Sequence, residues 1–169
     1  MKIRIFGAAL LLLFTFTLSP AAEAENAAGV AAFHLGGQVK NPSDFDLAKL
    51  EKLPAASQKS GSHEYTGVLL WDLLQSAGVI LDQSINNDIL RIIVIVTGSD
   101  GYETVFSAGE IDPEFGGHQI LVAYEKDGQP LGPDRFPQIV AAGDKRFGRF
   151  VYKIVKIEVR DAGKSSPKP

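Results

Sequence analysis

Between Gly143 and Phe150 three cations, Lys145, Arg146 and Arg149, stand among glycines and beside Phe147. Glycine lets a backbone approach a ligand closely, and guanidinium forks match the oxygens of a phosphate. The segment reads as an anion site, and a solvated basic loop is the plainer alternative. A second segment runs from Gly98 to Thr104. A tight turn at Ser99-Asp100-Gly101 releases Tyr102 at the end of a strand, a common place for ligand contacts. The plainer alternative is a β-turn in which Gly101 supplies positive φ and Asp100 bonds its own backbone.

Other chemistry is narrowed by what is missing. The sequence holds no cysteine. Thiolate nucleophiles, iron–sulfur clusters, thiolate metal ligands and redox pairs are therefore excluded. No Gly-rich phosphate loop, His-Glu-x-x-His or Gly-x-Ser-x-Gly motif occurs. His34, His63 and His118 lie far apart and their spacing gives no metal site. The net charge of −3 offers no bulk attraction to nucleic acid.

The elements that must position these residues follow from hydrophobic period and turn residues. Phe33, Leu35 and Val39 suggest a first strand, and Asn41 to Asp44 a turn. Leu47, Leu50 and Leu53 share a helical face between Asp46 and Pro54. Ala55 to His63 is a loop or an edge strand. Thr66-Gly67 is expected to open the best helix, with Leu70, Leu73, Leu74 and Ala77 on one face and Gly78 as its left-handed cap. Ile89 to Val96 reads as a strand buried on both sides. Tyr102 to Phe106 is a short strand, and Ser107 to Glu110 has the form of a capping box. Gln119 to Tyr124 is a strand, Asp127-Gly128 a two-residue hairpin turn, and Pro137 to Ala142 and Phe150 to Val159 the last strands. Strands outnumber scattered helices, which argues an α+β fold.

The N-terminus carries Lys2 and Arg4, an apolar run from Ile5 to Leu18, and Ala22-Glu23-Ala24. That is the layout of a secretory signal peptide over 1–24, with no twin-arginine pair. The run is shorter than the roughly 20 residues that span a bilayer. The expected organisation is a lead-in at 25–32, one domain at 33–160 and a disordered tail at 161–169. The expected location is periplasmic or secreted, without membrane insertion after cleavage.

Six segments in order resemble the molybdopterin-binding domain of the sulfite oxidase family. Leu35 to Pro42 is similar to its opening strand and Asn-Pro turn, and Phe45 to Pro54 to its short helix ending in Leu-Pro. Tyr65 to Leu74 resembles its Gly-Val helix segment, and Asp100 through Ile111 its Gly-Tyr unit. Leu121 to Leu131 is similar to its Ala-Tyr segment ending in Pro-Leu, and Arg149 to Val159 to its basic closing strand. The resemblance implies a mixed sheet with short helices. It implies that Tyr102, with Asp100 beside it, lines a pocket, and that Arg149, with Lys145 and Arg146, holds the pterin phosphate. On that reading Arg149→Ala weakens binding and leaves folding intact.

The departure decides the chemistry. The family's metal-ligating cysteine belongs between the first Leu-Pro and the Gly-Val helix. Here Ala55 to Glu64 holds none. The implied cofactor is molybdopterin without the usual molybdenum ligation, or none. Three readings follow: a non-catalytic module for a pterin or small anion, an oxidoreductase whose molybdenum has a non-thiolate ligand from Ser57, Ser60, Ser62 or His63, and a subunit for a periplasmic protein partner.

Overall fold

The β-branched run in the middle of the chain folds as a central strand of a mixed sheet. A computed structural model describes residues 32–163. The expected signal peptide over 1–24, the expected lead-in as far as 31 and residues 164–169 of the expected tail lie outside these residues; Asp161, the first residue of that tail, instead ends the last strand. In chain order the elements are β1 (Phe33–Gly37), β2 (Ser43–Phe45), α1 (Leu47–Leu50), β3 (Ala55–Ser60), β4 (His63–Leu69) and α2 (Leu70–Ala77). Then follow β5 (Ile92–Gly98), β6 (Glu103–Ser107), α3 (Ala108–Ile111), β7 (Leu121–Lys126), β8 (Gln129–Pro130), β9 (Gln138–Val140) and β10 (Ile154–Asp161).

The first sheet has the order β2-β1-β10-β5-β6. Its β1–β10 pair is parallel and the others are antiparallel. The second has the order β3-β4-β7-β8, and β9 also pairs with β7. One continuous core joins Leu35, Val94, Phe106 and Ile157 of the first sheet to Val68, Leu121 and Ile139 of the second. Helix α2 adds its buried stripe of Leu70, Leu73, Leu74 and Ala77, and Gly78 ends it in the left-handed conformation.

Several boundaries differ from the sequence reading. Thr66-Gly67 does not open a helix: His63–Leu69 is a strand and the helix begins at Leu70. Gly67 explains this. A Cβ there would meet the carbonyl oxygen of Val122 at 2.2 Å, so only glycine lets β4 and β7 approach so closely. The Asp46 carboxylate caps α1 by accepting from the Lys49 amide at 2.8 Å, but the regular helix is the single turn Leu47–Leu50. Asp88–Arg91 is a 3-10 turn, so the expected strand starts only at Ile92. There the buried Asp88 carboxylate accepts from the Asp82 amide at 2.7 Å.

The capping box also fails in its side chains. Ser107 precedes α3 but makes no side-chain cap bond, and Glu110, its partner in the box, accepts from Arg149 instead, at 2.6 Å. The Asp-Gly hairpin forms as read, with Asp127 at φ 52° and Gly128 at φ 72°. The last strand begins at Ile154, because Phe147–Arg149 is a 3-10 turn and Lys153 adopts φ 48°.

Candidate functional site

The segment from Gly143 to Phe150 crosses the surface between two clefts and turns a different chemistry to each. On one side Asp144 and Arg149 face a cleft of about 330 Å³, together with Gln58, His118 and Gln119. On the other side Phe147 and Phe150 face a cleft of about 260 Å³, together with Tyr65, Tyr152 and the hairpin Ser60 to His63.

The first cleft is a closed electrostatic knot. Arg149 donates from Nε to Asp144 Oδ2 at 2.8 Å and from Nη2 to Asp144 Oδ1 at 2.6 Å. Its Nη1 donates to Glu110 at 2.6 Å, and its plane lies 4.8 Å from the Phe106 ring centre. All three guanidinium nitrogens are thus engaged within the chain. The Asp144 hydrogen bond raises the arginine's affinity for its proton, and Arg149 in turn holds the Asp144 carboxyl below its ordinary range. Two carboxylates against one guanidinium leave this corner acidic. His118 stands 3.6 Å from Glu110 at its rim.

Lys145 and Arg146 are different. Both are exposed, and neither makes an ion pair among the described residues. Tyr102 is half exposed and donates its hydroxyl to the Gly148 carbonyl at 2.5 Å. It therefore rests on the same loop, although it lines neither cleft. Asp100 Oδ1 accepts from the Tyr102 amide at 2.9 Å, which is the local turn bond of the plainer reading. The structure thus gathers all five sequence-selected residues around the loop, but in separate roles.

The second cleft has aromatic walls. Phe147 is 64% exposed, unusual for a phenylalanine, and meets Phe150 edge-to-face at 5.1 Å between ring centres. Arg135 lies over the Tyr152 ring at 4.6 Å, and the Lys126 ammonium is 5.9 Å from the Tyr65 ring. Burial, and then the neighbouring Tyr152, push the Tyr65 hydroxyl's pKa up. His63 Nδ1 lies 2.6 Å from Asp127 Oδ2. The Glu64 amide, and then His63, hold the Asp127 carboxyl below its ordinary range. An ionised carboxylate only accepts, so Nδ1 is the donor, and the Nε2 of a neutral ring remains an acceptor.

This second cleft was not read from the sequence. In the sequence Phe147 reads only as a neighbour of the cations, and Asp127 only as a turn residue. The hairpins that bring Asp127 to His63 are local. The meeting of the two is not, and nothing in the intervening residues announces it.

Whether a thiolate-held metal fits can be judged on the donor set. The chain offers no thiolate. Among the described residues no three of His, Asp and Glu converge where they could hold an ion. Ser60, Ser62 and His63 line the aromatic cleft, but His63 already gives one nitrogen to Asp127, and no carboxylate joins these residues in the lining. The residues present do not fit the metal centre that the sequence resemblance carries.

No protein-family model matches the sequence, and no curated protein matches it. Among solved structures the chain is similar to the sulfane dehydrogenase SoxCD from Paracoccus pantotrophus, with a TM-score of 0.60 and 17% identity over 80% of this chain. It spans 40% of the length of that chain. Likeness at this identity shows the fold. It is α+β, consistent with the sulfite-oxidase-type fold, with a mixed sheet and short helices.

Proposed function

We propose that this chain is an exported, non-catalytic binding module for a small planar anion, with a pterin as the type ligand. The observation that carries the reading is the aromatic cleft. Tyr65, Phe147, Phe150 and Tyr152 surround a space of about 260 Å³, and Phe147 is left largely open to solvent. A flat ring is held there by stacking. Lys145 and Arg146, close to Phe147 in the chain and without an ion pair among the described residues, supply the attraction for an anionic substituent. Arg149 is the brace of the loop: its charge is already met by Asp144 and Glu110.

The test is purification from a host that makes the molybdenum cofactor. Pterin fluorescence in the folded protein, with molybdenum far below one atom per chain, is the expected result. One molybdenum atom per chain would overturn the non-catalytic reading. Absence of binding to any added pterin would overturn the module itself.

A second reading, a subunit for a protein partner, is favoured by a different surface. Ile80, Leu90 and Phe115 are each exposed by more than two fifths, beside a groove lined by Trp71 and Leu81. Loss of a specific co-purifying partner on Phe115→Glu would support that reading over the first.

A further inference from the structure

Among the described residues that line the aromatic cleft, only His63 can carry a positive charge. The rest of the lining is aromatic rings, two serines and Gly61. Arg135 and Lys126 lie over the Tyr152 and Tyr65 rings and are not part of that lining. Lys145 and Arg146 stand just before Phe147 on the loop and do not line it either. An anion inside the cleft therefore has one side chain to meet.

The chain fixes how that imidazole is held. Asp127, in the turn between β7 and β8, is tied to β4 at three points. Its Oδ1 accepts from the Glu64 amide at 2.9 Å, its own amide donates to the Glu64 carbonyl at 2.7 Å, and its Oδ2 faces His63 Nδ1 at 2.6 Å. The Tyr65 ring meets the imidazole edge-on, 6.5 Å between ring centres. The Glu64 amide, and then His63, keep the Asp127 carboxyl below its ordinary range. Nδ1 thus keeps its proton whether the ring is charged or not, and only Nε2 changes. The other charges nearby are few. Lys126 of β7 pairs with Tyr65 and shares its face, and Tyr152 stands across the cleft under Arg135. Glu64 and its cross-strand partner Lys59 are on the opposite face, because side chains alternate along a strand.

We infer that His63 is the anion contact of the aromatic cleft and acts only as imidazolium, so that an aromatic carboxylate enters together with a proton. The neutral ring offers a lone pair at Nε2, which a carboxylate avoids. The protonated ring offers an N–H there, and a charge-assisted hydrogen bond forms. Asp127 balances the added charge and keeps the ring from turning, which makes it a positioning residue. Histidine changes charge between about pH 5 and 8, so binding strengthens as the pH falls through that window. Lys145 and Arg146 attract the anion from outside, and His63 meets it within. This inference rests on the planar-anion reading and adds to it the group that meets the charge and the proton that accompanies it.

The experiment is isothermal titration of the purified protein with quinoxaline-2-carboxylate and with the uncharged quinoxaline-2-carboxamide, at about pH 5.5 and about pH 7.5. The carboxylate is expected to bind about tenfold tighter at the lower pH, the scale of one charge-assisted hydrogen bond. The amide is expected to bind equally at both. Titrations in buffers of different ionisation heat should show a proton taken up with the carboxylate. His63→Gln is expected to bind the carboxylate with the weaker affinity at both pH values and without proton uptake, and Asp127→Asn to reduce the pH preference. His34 and His118 lie outside this cleft, so a preference that survives His63→Gln belongs to them and overturns the inference. If His63→Gln fails to fold, proton uptake by the unmodified chain and its reduction in Asp127→Asn decide. Carboxylate binding that is equal at both pH values overturns the inference and leaves the planar-anion reading standing. Binding of neither probe removes both.

Discussion

The two clefts on either side of the Gly143–Phe150 segment are built from the same loop, yet they differ in what is left undone. On the Arg149 side every strong group has found a partner inside the chain. Asp144 and Glu110 take all three guanidinium nitrogens. On the Phe147 side a largely exposed ring remains, and among the described residues the second nitrogen of His63 makes no hydrogen bond. Satisfied polar groups hold a structure, whereas unsatisfied ones beside a cleft are free to meet something else. A conspicuous arginine in a sequence is therefore a poor guide by itself. Its carboxylates decide whether it grips a ligand or a neighbouring strand.

The comparison can be broken most severely at Gly67. Its approach to the Val122 carbonyl holds β4, which carries Tyr65 to the aromatic side and pairs through Tyr65 with Gln58 on the charged side. Gly67→Ala is expected to cost about 3 kcal/mol, seen as a lower urea midpoint, because overpacking against backbone cannot relax cheaply. Both clefts should lose their form together.

Arg149→Ala separates the two sides. It strands Asp144 and Glu110 and uncovers Phe106, and should cost about 2 kcal/mol of stability at this partly exposed position. Pterin-6-carboxylate binding by the folded fraction should change little. That reverses the expectation drawn from the sequence, in which the same substitution spared the fold and weakened the ligand. Strong loss of affinity with unaltered stability would restore the original role of Arg149.

Phe147→Ala is the mirror of that experiment. An exposed ring contributes little to folding, so stability should stay within ~0.5 kcal/mol. Loss of one stacking wall should weaken binding by roughly 1 kcal/mol. Calorimetry on the two variants should show the two effects crossing over.

The smallest expected effect is in acid. Arg149 holds the Asp144 carboxyl below its ordinary pKa. A carboxyl depressed in the folded state contributes stability above its unfolded pKa, and that stability is lost as pH falls through the folded one. That contribution should thus disappear on acidification below pH ~4. Arg149→Ala should flatten that part of the profile. The depression of Glu158 to about 2 by Arg160 and Lys156, remote from both clefts, should remain in the variant.

Much of the fold was legible where the signal is local. The stripe of α2, the Gly78 cap and the Asp127-Gly128 turn each need only a few consecutive residues, and each stands as read. Val68 to Leu70 misled because its apolar run serves a strand and a helix equally, and only the contact of Gly67 with β7 settles where one ends. Ser107 and Glu110 have the spacing of a capping box, but a nearby guanidinium outcompetes a backbone amide for the glutamate. The site was less legible for the same reason. The pairing of His63 with Asp127, and of Arg149 with Glu110, joins positions that the sequence keeps far apart.

One measurement addresses the central claim directly: backbone and aromatic chemical shifts of the isotope-labelled protein as pterin-6-carboxylate is added. The account predicts that the largest changes fall on Ser60 to Tyr65, Phe147, Phe150 and Tyr152. Changes centred instead on His118, Gln119 and Gly143, or a spectrum the ligand leaves untouched, would contradict it.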